Sequence, residues 1–386
     1  MCANRSTTRE VLILAGTRPE GVKSAPLIRR LLDDPRFTVR VADTGQQPGR
    51  VAEALTPFGL RPEVSLRPQR RTGSLAELAA ALITGIDDLF AHHRPAAVVV
   101  QGDTTTALAG GTAAFWRRIP VVHLEAGLRT NDLDRPFPEE ANRAMLARIA
   151  ALHLAPTPEA RSNLLDEGIR ADAITVTGNT VVDALQDLVD RGVAQPPPWV
   201  DPTRKLVVAT AHRRENWGQG VAATMDGLRR LARWCPEVQV VMVSHPNPRL
   251  SAEVSAGLAG VANARVTPPL AYPQMIGLLR GADLVVTDSG GLQEEAATLG
   301  VPLLVTRDTT ERPEALAAGR GELVGTDPEL LLSAGLRHLA LGRVPTVGSP
   351  FGDGRAAERC VAAMARLLDA PARPVTQARR TIATVT

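Results

Sequence analysis

"VAQPPPWVDPTRK", residues 193–205, interrupts an otherwise steady rhythm. Its three consecutive prolines suit neither a helix interior nor a sheet ladder, and they make a stiff spacer. On both sides of it, short apolar runs alternate with stretches of helical spacing. Before it the runs fall at 11–16, 38–45, 96–103, 120–127, 152–157 and 174–179, with helical spacing at 25–32, 75–93, 106–118 and 139–150. After it they resume at 206–211, 238–245, 264–270, 282–289, 301–306 and 321–326. The runs are rich in Val, Ile and Leu and apolar on both faces. Such strands, alternating with helices, form parallel sheets covered on both sides. The sequence therefore predicts two α/β domains, residues 1–192 and 193–353, each with a doubly wound parallel sheet. One more helix at 354–371 and a loose tail at 372–386 follow. A ligand of such a fold lies beyond the carboxyl ends of the strands, in the crevice between domains.

Composition excludes several function classes. The chain has 386 residues, 44% hydrophobic and 22% charged, with a formal net charge of +3. The charges are mixed throughout, with no basic stripe interleaved with aromatics, so nucleic acid is not an expected partner. Cys2, Cys235 and Cys360 are scattered and form no CxxC pair, which predicts neither a disulfide framework nor a zinc site and fits a reducing cytoplasm. The polar start "MCANRSTTRE" predicts no secretory leader, and no apolar run is long enough for a membrane span.

The strand ends carry the chemistry. "GTRPEGVK" (16–23) has the glycine spacing of a phosphate loop, but Val22 stands where the loop's lysine should be. No GxGxxG follows this strand either, so the dinucleotide fingerprint is absent. Pro19 suits the first turn of a helix, where Arg18 and Lys23 could meet an anion or simply be surface charge. Asp103 follows the third run and reads as a helix cap or a group facing the cleft. Glu125 closes an otherwise apolar run and needs a partner or a job. In "RPFPEEANR", helical phase puts Ala141, Met145 and Ile149 inward, Glu139 at the edge of that side, and Glu140 out in solvent. Asp103, Glu125 and Glu139 could line one wall, where neighbouring carboxylates suit acid–base work. His123 alternates inside a strand and completes no known metal-ligand set. His212, Arg213 and Arg214, then His245, then Arg312 follow strands of the second half and could contact an anion. In "VVTDSGGLQEEAATLG" (285–300), Ser289, Gly290 and Gly291 fit an amide cradle at a helix N-terminus.

Taken together, "GTRPEGVKSAPLI" (16–28), "GDTTTALAGGTAAFWRRIPVVHLEAGLRT" (102–130), "PFPEEANR" (136–143), "TGNTVVDAL" (177–185), "AHRREN" (211–216), "TDSGGLQEEAATLGVPLLVTRDTTERPEA" (287–315) and "LVGTD" (323–327) resemble the non-hydrolysing UDP-N-acetylglucosamine 2-epimerases. The resemblance implies the GT-B fold, two Rossmann-like domains with an interdomain cleft and a C-terminal helix that crosses back to the first. It also implies homodimers and neither metal nor nicotinamide. Arg18, His212, Ser289, Gly290, Gly291, Glu295 and Arg312 would hold UDP, with Glu295 at the ribose. Lys23, Asp103, Glu125 and Glu139 would face the sugar with His212 as the catalytic set, and Arg135, Arg143, Arg213 and His245 would be secondary contacts.

That family chemistry has a physical logic. The C2 proton of the sugar has no neighbouring carbonyl, and with no nicotinamide the remaining route is loss of UDP from C1. Positive charge developing at C1 acidifies C2–H, elimination gives a 2-acetamidoglucal, and re-addition inverts C2. The route needs cations on the leaving diphosphate and acid–base groups on both faces of C2. The resemblance thus implies interconversion of UDP-GlcNAc and UDP-ManNAc. A hydrolysing relative that releases ManNAc and UDP, a GT-B glycosyltransferase and a non-catalytic UDP-sugar sensor are the alternatives. In "TGQQPGR" (44–50), Gln47, Pro48 and Gly49 depart from the family's "TGQHREM", so activation by a second UDP-GlcNAc is not expected. Arg135, Pro246 and Met275 are further departures. Helical phase around Leu292, Ala296 and Leu299 sets Glu295 beside the packed side and Glu294 about 100° further round, where Glu294 would be dispensable.

Overall fold

The structure, a computed structural model, describes residues 8–211, 217–317, 321–343 and 348–370. The first sheet is formed by β1 (Arg9–Ala15), β2 (Phe37–Asp43), β3 (Val64–Ser65), β4 (Ala97–Gln101), β5 (Val121–Leu124), β6 (Leu152–Ala155) and β7 (Ile174–Val176). Its order is β3-β2-β1-β4-β5-β6-β7, parallel throughout. Its helices are α1 (Arg18–Leu32), α2 (Arg50–Leu55), α3 (Leu75–His92), α4 (Thr105–Trp116), α5 (Glu139–Ile149), α6 (Pro158–Asp166) and α7 (Thr180–Asp190). The second sheet contains β8 (Lys205–Thr210), β9 (Val238–Val243), β10 (Ala264–Thr267), β11 (Leu284–Thr287), β12 (Leu303–Val305) and β13 (Gly321–Leu323), in the order β10-β9-β8-β11-β12-β13 and again parallel. With it go α8 (Gln219–Trp234), α9 (Pro248–Gly257), α10 (Tyr272–Gly281), α11 (Gly290–Leu299), α12 (Pro313–Ala317) and α13 (Pro328–Leu341), before α14 (Ala356–Asp369) ends the described chain. In both sheets the strand order reverses beside the first strand, β1 or β8, and a crevice opens there at the carboxyl ends.

Alternate residues of the central strands serve different cores, as the pleat requires. Leu12, Leu14, Val98 and Val100 pack outward under α3 and α4. Val207, Ala209, Val240 and Met242 pack under α8 and α13. Val11, Ile13 and Val99 face the other way, into a cluster that takes in α1, α2 and α7 and continues through Ala194 into α10, α11 and β8. The two domains therefore share one continuous apolar interior on their inner faces. The Phe58 and Tyr272 rings meet across it with centroids 6.4 Å apart.

The last helix returns to the first domain, packing on α1 and α7. Asp183 of α7 accepts hydrogen bonds from Ala356 N and Ala357 N at 3.1 and 2.8 Å, satisfying two of the orphan amides that open α14. Asn179 N donates to Phe351 O at 2.7 Å where the chain crosses back. Glycine is required at that crossing: Gly178 and Gly352 both have positive φ, and a Cβ on Gly352 would fall 3.2 Å from the Gly178 Cα.

The elements refine the sequence reading in three ways. The first helix takes in more than the helical spacing at 25–32: it begins at Arg18, with Pro19 in its first turn as the sequence suggested. Pro26 removes one backbone donor inside it, which masks the early turns, yet burial of residues 20–25 holds them helical. The two-residue β3 is too short to carry a periodic signal. Several strands also stop earlier than their apolar runs, so residues read as strand ends stand in loops over the crevice. No helix among the described residues is long and apolar enough to cross a membrane.

Candidate active site

Glu125 follows β5 with φ of 64°, the left-handed region. A residue with a Cβ occupies it at a cost of roughly 1–2 kcal/mol, and such strain concentrates at functional positions. The twist turns the carboxylate into the crevice, where it is 8% exposed. Its Oε2 accepts from the Lys23 ammonium, from Gln101 Nε2 at 3.1 Å and from Asn179 Nδ2 at 3.2 Å. Lys23 stands in α1, and its Nζ also lies 2.8 Å from Glu294 Oε2 of α11. Glu294 in turn accepts from Arg312 Nε at 2.6 Å through its other oxygen. Arg312 reaches back to Glu125 Oε1 at 3.5 Å and to Glu311 through Nη1. Lys23 and Glu125 belong to the first domain, Glu294 and Arg312 to the second, so the ring of charges spans the crevice.

A second cluster continues from Glu311. Arg143 of α5 pairs with Asp103 through Nη2 at 2.6 Å and Nε at 2.8 Å, with Glu140 at 2.7 Å and with Glu311 at 3.7 Å. Asn142 Nδ2 fixes the Asp103 carbonyl at 2.8 Å. Arg143, Glu140 and Glu311 are at most 2% exposed. Arg307 binds Glu311 from the opposite side at 2.8 Å.

The environments set distinct proton affinities. Burial would lower the Lys23 ammonium, but Glu125 and Glu294 outweigh it and hold it above the usual lysine range. Burial raises the Glu125 carboxyl despite Lys23, with Glu294 adding to the rise. Burial would raise Asp103 too, yet the Arg143 guanidinium holds it below the usual carboxylate range. Glu125 is thus suited to hold a proton and Asp103 to stay ionised. Burial pushes the His123 imidazole down to about 3, which keeps it neutral beneath the crevice, where Nε2 lies 2.7 Å from Gly102 O.

Ser289 is the N-cap of α11 and its side chain makes no capping bond. The amides of the first turn, at Gly290 and Gly291, therefore stand where an anion can meet them. A Cβ on Gly290 would overlap the Arg312 guanidinium, so glycine is needed to seat that arginine against the cradle. One turn on, burial raises the Glu295 carboxyl to about 7 against an opposing interaction with the Tyr272 phenol. Arg18 is half-buried and close enough to act on both groups electrostatically.

Lys23, Glu125 and Arg312 come together as one cluster, and Asp103 joins them through Arg143 and Glu311. Glu139 opens α5, half-buried, one turn ahead of Arg143. Arg135 is exposed. His245 is half-buried, with Asn247 N donating to its Nδ1 at 3.1 Å and the Trp217 ring 6.5 Å away. His212, Arg213 and Arg214 lie outside the described residues.

Two expectations are corrected. Glu140 is not a solvated first-turn acid but 1% exposed, accepting from Thr130 N at 3.0 Å and Asn131 N at 3.1 Å besides pairing with Arg143. The loop before α5 folds over its first turn, and the buried side is Asn142, Arg143, Leu146 and Ala147, while Met145 is exposed. Glu294 does not point away: it is fully buried between two cations. Helical phase measured only against the domain's own sheet misses it, because α11 packs on α7 of the other domain as well. Glu20, Gln101, Asn179 and Glu311 escaped the sequence reading altogether. Glu20 is fully buried, raised to about 7 by burial, and accepts from Gly16 N at 3.0 Å and Thr104 Oγ1 at 2.7 Å. Its position three residues after the N-cap Thr17 was the available signal.

Known proteins share this architecture. The family model described as UDP-N-acetylglucosamine 2-epimerase matches residues 29–365. The UDP-N-acetylglucosamine 2-epimerase of Salmonella typhimurium is 40% identical over 368 residues, covering 92% of this chain and 98% of that protein. The crystal structure of UDP-GlcNAc 2-epimerase from Neisseria meningitidis bound to UDP-GlcNAc is similar with a TM-score of 0.87 at 35% identity, over 92% of this chain and 100% of that one. The Methanocaldococcus jannaschii UDP-GlcNAc 2-epimerase in complex with UDP-GlcNAc and UDP gives 0.83 at 31% identity, over 92% and 99%. With a family model spanning most of its length and relatives matched nearly end to end, the chain belongs to the UDP-N-acetylglucosamine 2-epimerase family, isomerases built on the GT-B fold.

Proposed function

We propose that this chain interconverts UDP-GlcNAc and UDP-ManNAc by anti elimination of UDP to a 2-acetamidoglucal and re-addition, without activation by a second UDP-GlcNAc. The observation that carries the reading is the buried set of Lys23, Glu125 and Arg312 beside the open N-terminus of α11. A leaving diphosphate meets the Ser289–Gly291 amides and Arg312, and Glu295 lies a turn further on, at the distance of a ribose. Cations and amides there stabilise charge as it develops on the leaving oxygen, an effect of several kcal/mol in comparable sites, about 3 per donor. Asp103, Glu125 and Glu139 serve the two faces of C2. Glu125, raised by burial, is the group suited to deliver a proton, and Asp103, held low by Arg143, the one suited to remain charged.

The loop 44–50 supports the absence of an activator. At the departing position Gln47, the side-chain Oε1 accepts from Arg18 N at 3.4 Å, so it is engaged within the chain. A cytoplasmic homodimer completes the reading, on the resemblance alone; light scattering at twice the chain mass tests the dimer.

The decisive experiment is proton NMR of UDP-GlcNAc with the protein in deuterated water, over a range of substrate concentrations. Deuterium at C2, UDP-ManNAc as product and a hyperbolic rate curve are expected. No exchange overturns the reaction, free ManNAc with UDP indicates hydrolysis, and a sigmoidal curve overturns the missing activation.

A further inference from the structure

Glu294 is a buried glutamate between two buried cations that come from different domains. One oxygen lies 2.8 Å from Lys23 Nζ and the other 2.6 Å from Arg312 Nε. Its side chain is fully buried, so water does not dilute either contact. The carboxylate fixes Arg312 through Nε alone, which leaves both Nη atoms to other partners. Nη1 is held by Glu311, while Nη2 makes the loosest contact of the three, 3.5 Å from Glu125. Nη2 is therefore the donor that an entering phosphate oxygen can claim with least loss. The same guanidinium lies so close to Gly290 that a Cβ there would displace it. Glu294 thus binds the guanidinium that lies against the anion cradle and, through its other oxygen, the ammonium of Lys23.

We infer that Glu294 is a positioning residue: one carboxylate holds Lys23 of the first domain and Arg312 of the second together, so that both cations bear on the leaving diphosphate only when the crevice is closed. This rests on the proposed reaction and adds the device that couples closure to leaving-group stabilisation. Glu294 touches no reacting atom in this account. It has two effects of opposite sign on the ligand. Its negative charge opposes a diphosphate in the ground state, while the geometry it imposes favours the transition state. Removing it should therefore separate binding from turnover.

The test is Glu294→Gln, which keeps the shape and removes the charge. The expected result is UDP affinity equal to wild type or a few-fold tighter by calorimetry, with kcat about 10²-fold lower. Ligand-free Glu294→Gln should also show a larger radius of gyration in X-ray scattering, which UDP restores, because Lys23 and Arg312 now repel across the crevice. Glu294→Asp, which keeps the charge but reaches only one of the two cations, should recover part of kcat, and it provides the readout should the glutamine variant not fold. A kcat within two-fold of wild type in the variant overturns the inference. So does a parallel loss of UDP affinity, kcat and melting temperature, which is the signature of a merely structural residue. Failure of the wild-type protein to exchange deuterium at C2 would sink the reaction instead, and UDP affinity and the scattering difference would still decide on Glu294.

Discussion

Replacing Arg143 with methionine should be the most damaging single change in the crevice. The side chain is 2% exposed and is the common partner of three carboxylates, Asp103, Glu140 and Glu311. Methionine fills similar volume but leaves these carboxylates, of which Glu140 and Glu311 are buried, without that cation. Breaking a buried pair by removing one partner costs about 3–5 kcal/mol. With a denaturant dependence of about 3 kcal/mol per molar in urea for a domain of this size, the first domain's unfolding midpoint should fall by about 1–1.7 M. Acid supplies a second signature. In the wild type Asp103 is held below its ordinary value of 3.8, so its contribution is present above that value and lost as pH falls through the depressed one. In Arg143→Met burial acts without that guanidinium, Asp103 rises, and its protonation relieves the fold. The variant's deficit should therefore shrink as pH falls from about 7 toward about 4, where Asp103 of the wild type contributes no change. Adding Asp103→Asn should recover part of the midpoint. A shift under about 0.3 M, or a deficit independent of pH, would refute the account of this cluster.

Two further outcomes follow from the same geometry. Glu20 is raised from 4.5 to about 7, so the folded chain binds the extra proton and stability falls as pH rises between those values. Glu295 behaves alike, so Glu20→Gln should remove part of the decline in melting temperature across that window, and an unchanged slope would count against a buried carboxyl at this position. Gly290→Ala places a Cβ 2.6 Å from Arg312 Cζ, and it should weaken UDP binding by about 10-fold or more while the melting temperature stays near wild type, because only the end of one long side chain must move. Calorimetry with UDP checks this, and unchanged affinity would mean that Arg312 does not need its seat on the cradle.

Much of this organisation was legible in the amino-acid order, for identifiable reasons. Two-faced apolar runs alternating with helical spacing carry the parallel sheets, because burial on both faces leaves a strong signal at the central strands, though not at the two-residue β3. The proline run at 196–198 falls between the last strand of the first sheet and the first strand of the second. Lys23, Glu125, Asp103 and Arg312 were visible because charged groups next to apolar strands stand out. Glu140 and Glu294 were misjudged for a common reason. Helical phase records the side that a helix turns to its own sheet, and both residues are buried against something else, a loop in one case and the other domain in the other. The left-handed backbone of Glu125 was illegible too, because a glutamate gives no local cue for it and only the surrounding contacts hold it there.

Helix α7 has a mechanical consequence. Its first turn, at Asn179, is bonded to Phe351, where the chain re-enters the first domain, and its last residue, Asp190, leads directly into the proline spacer by which the chain leaves. The two strands of backbone that join the domains are thus anchored at opposite ends of one helix of 11 residues, about 16 Å apart at 1.5 Å per residue. α7 thus fixes the separation of the two crossings, and a substitution that unwound it would loosen both of them at once.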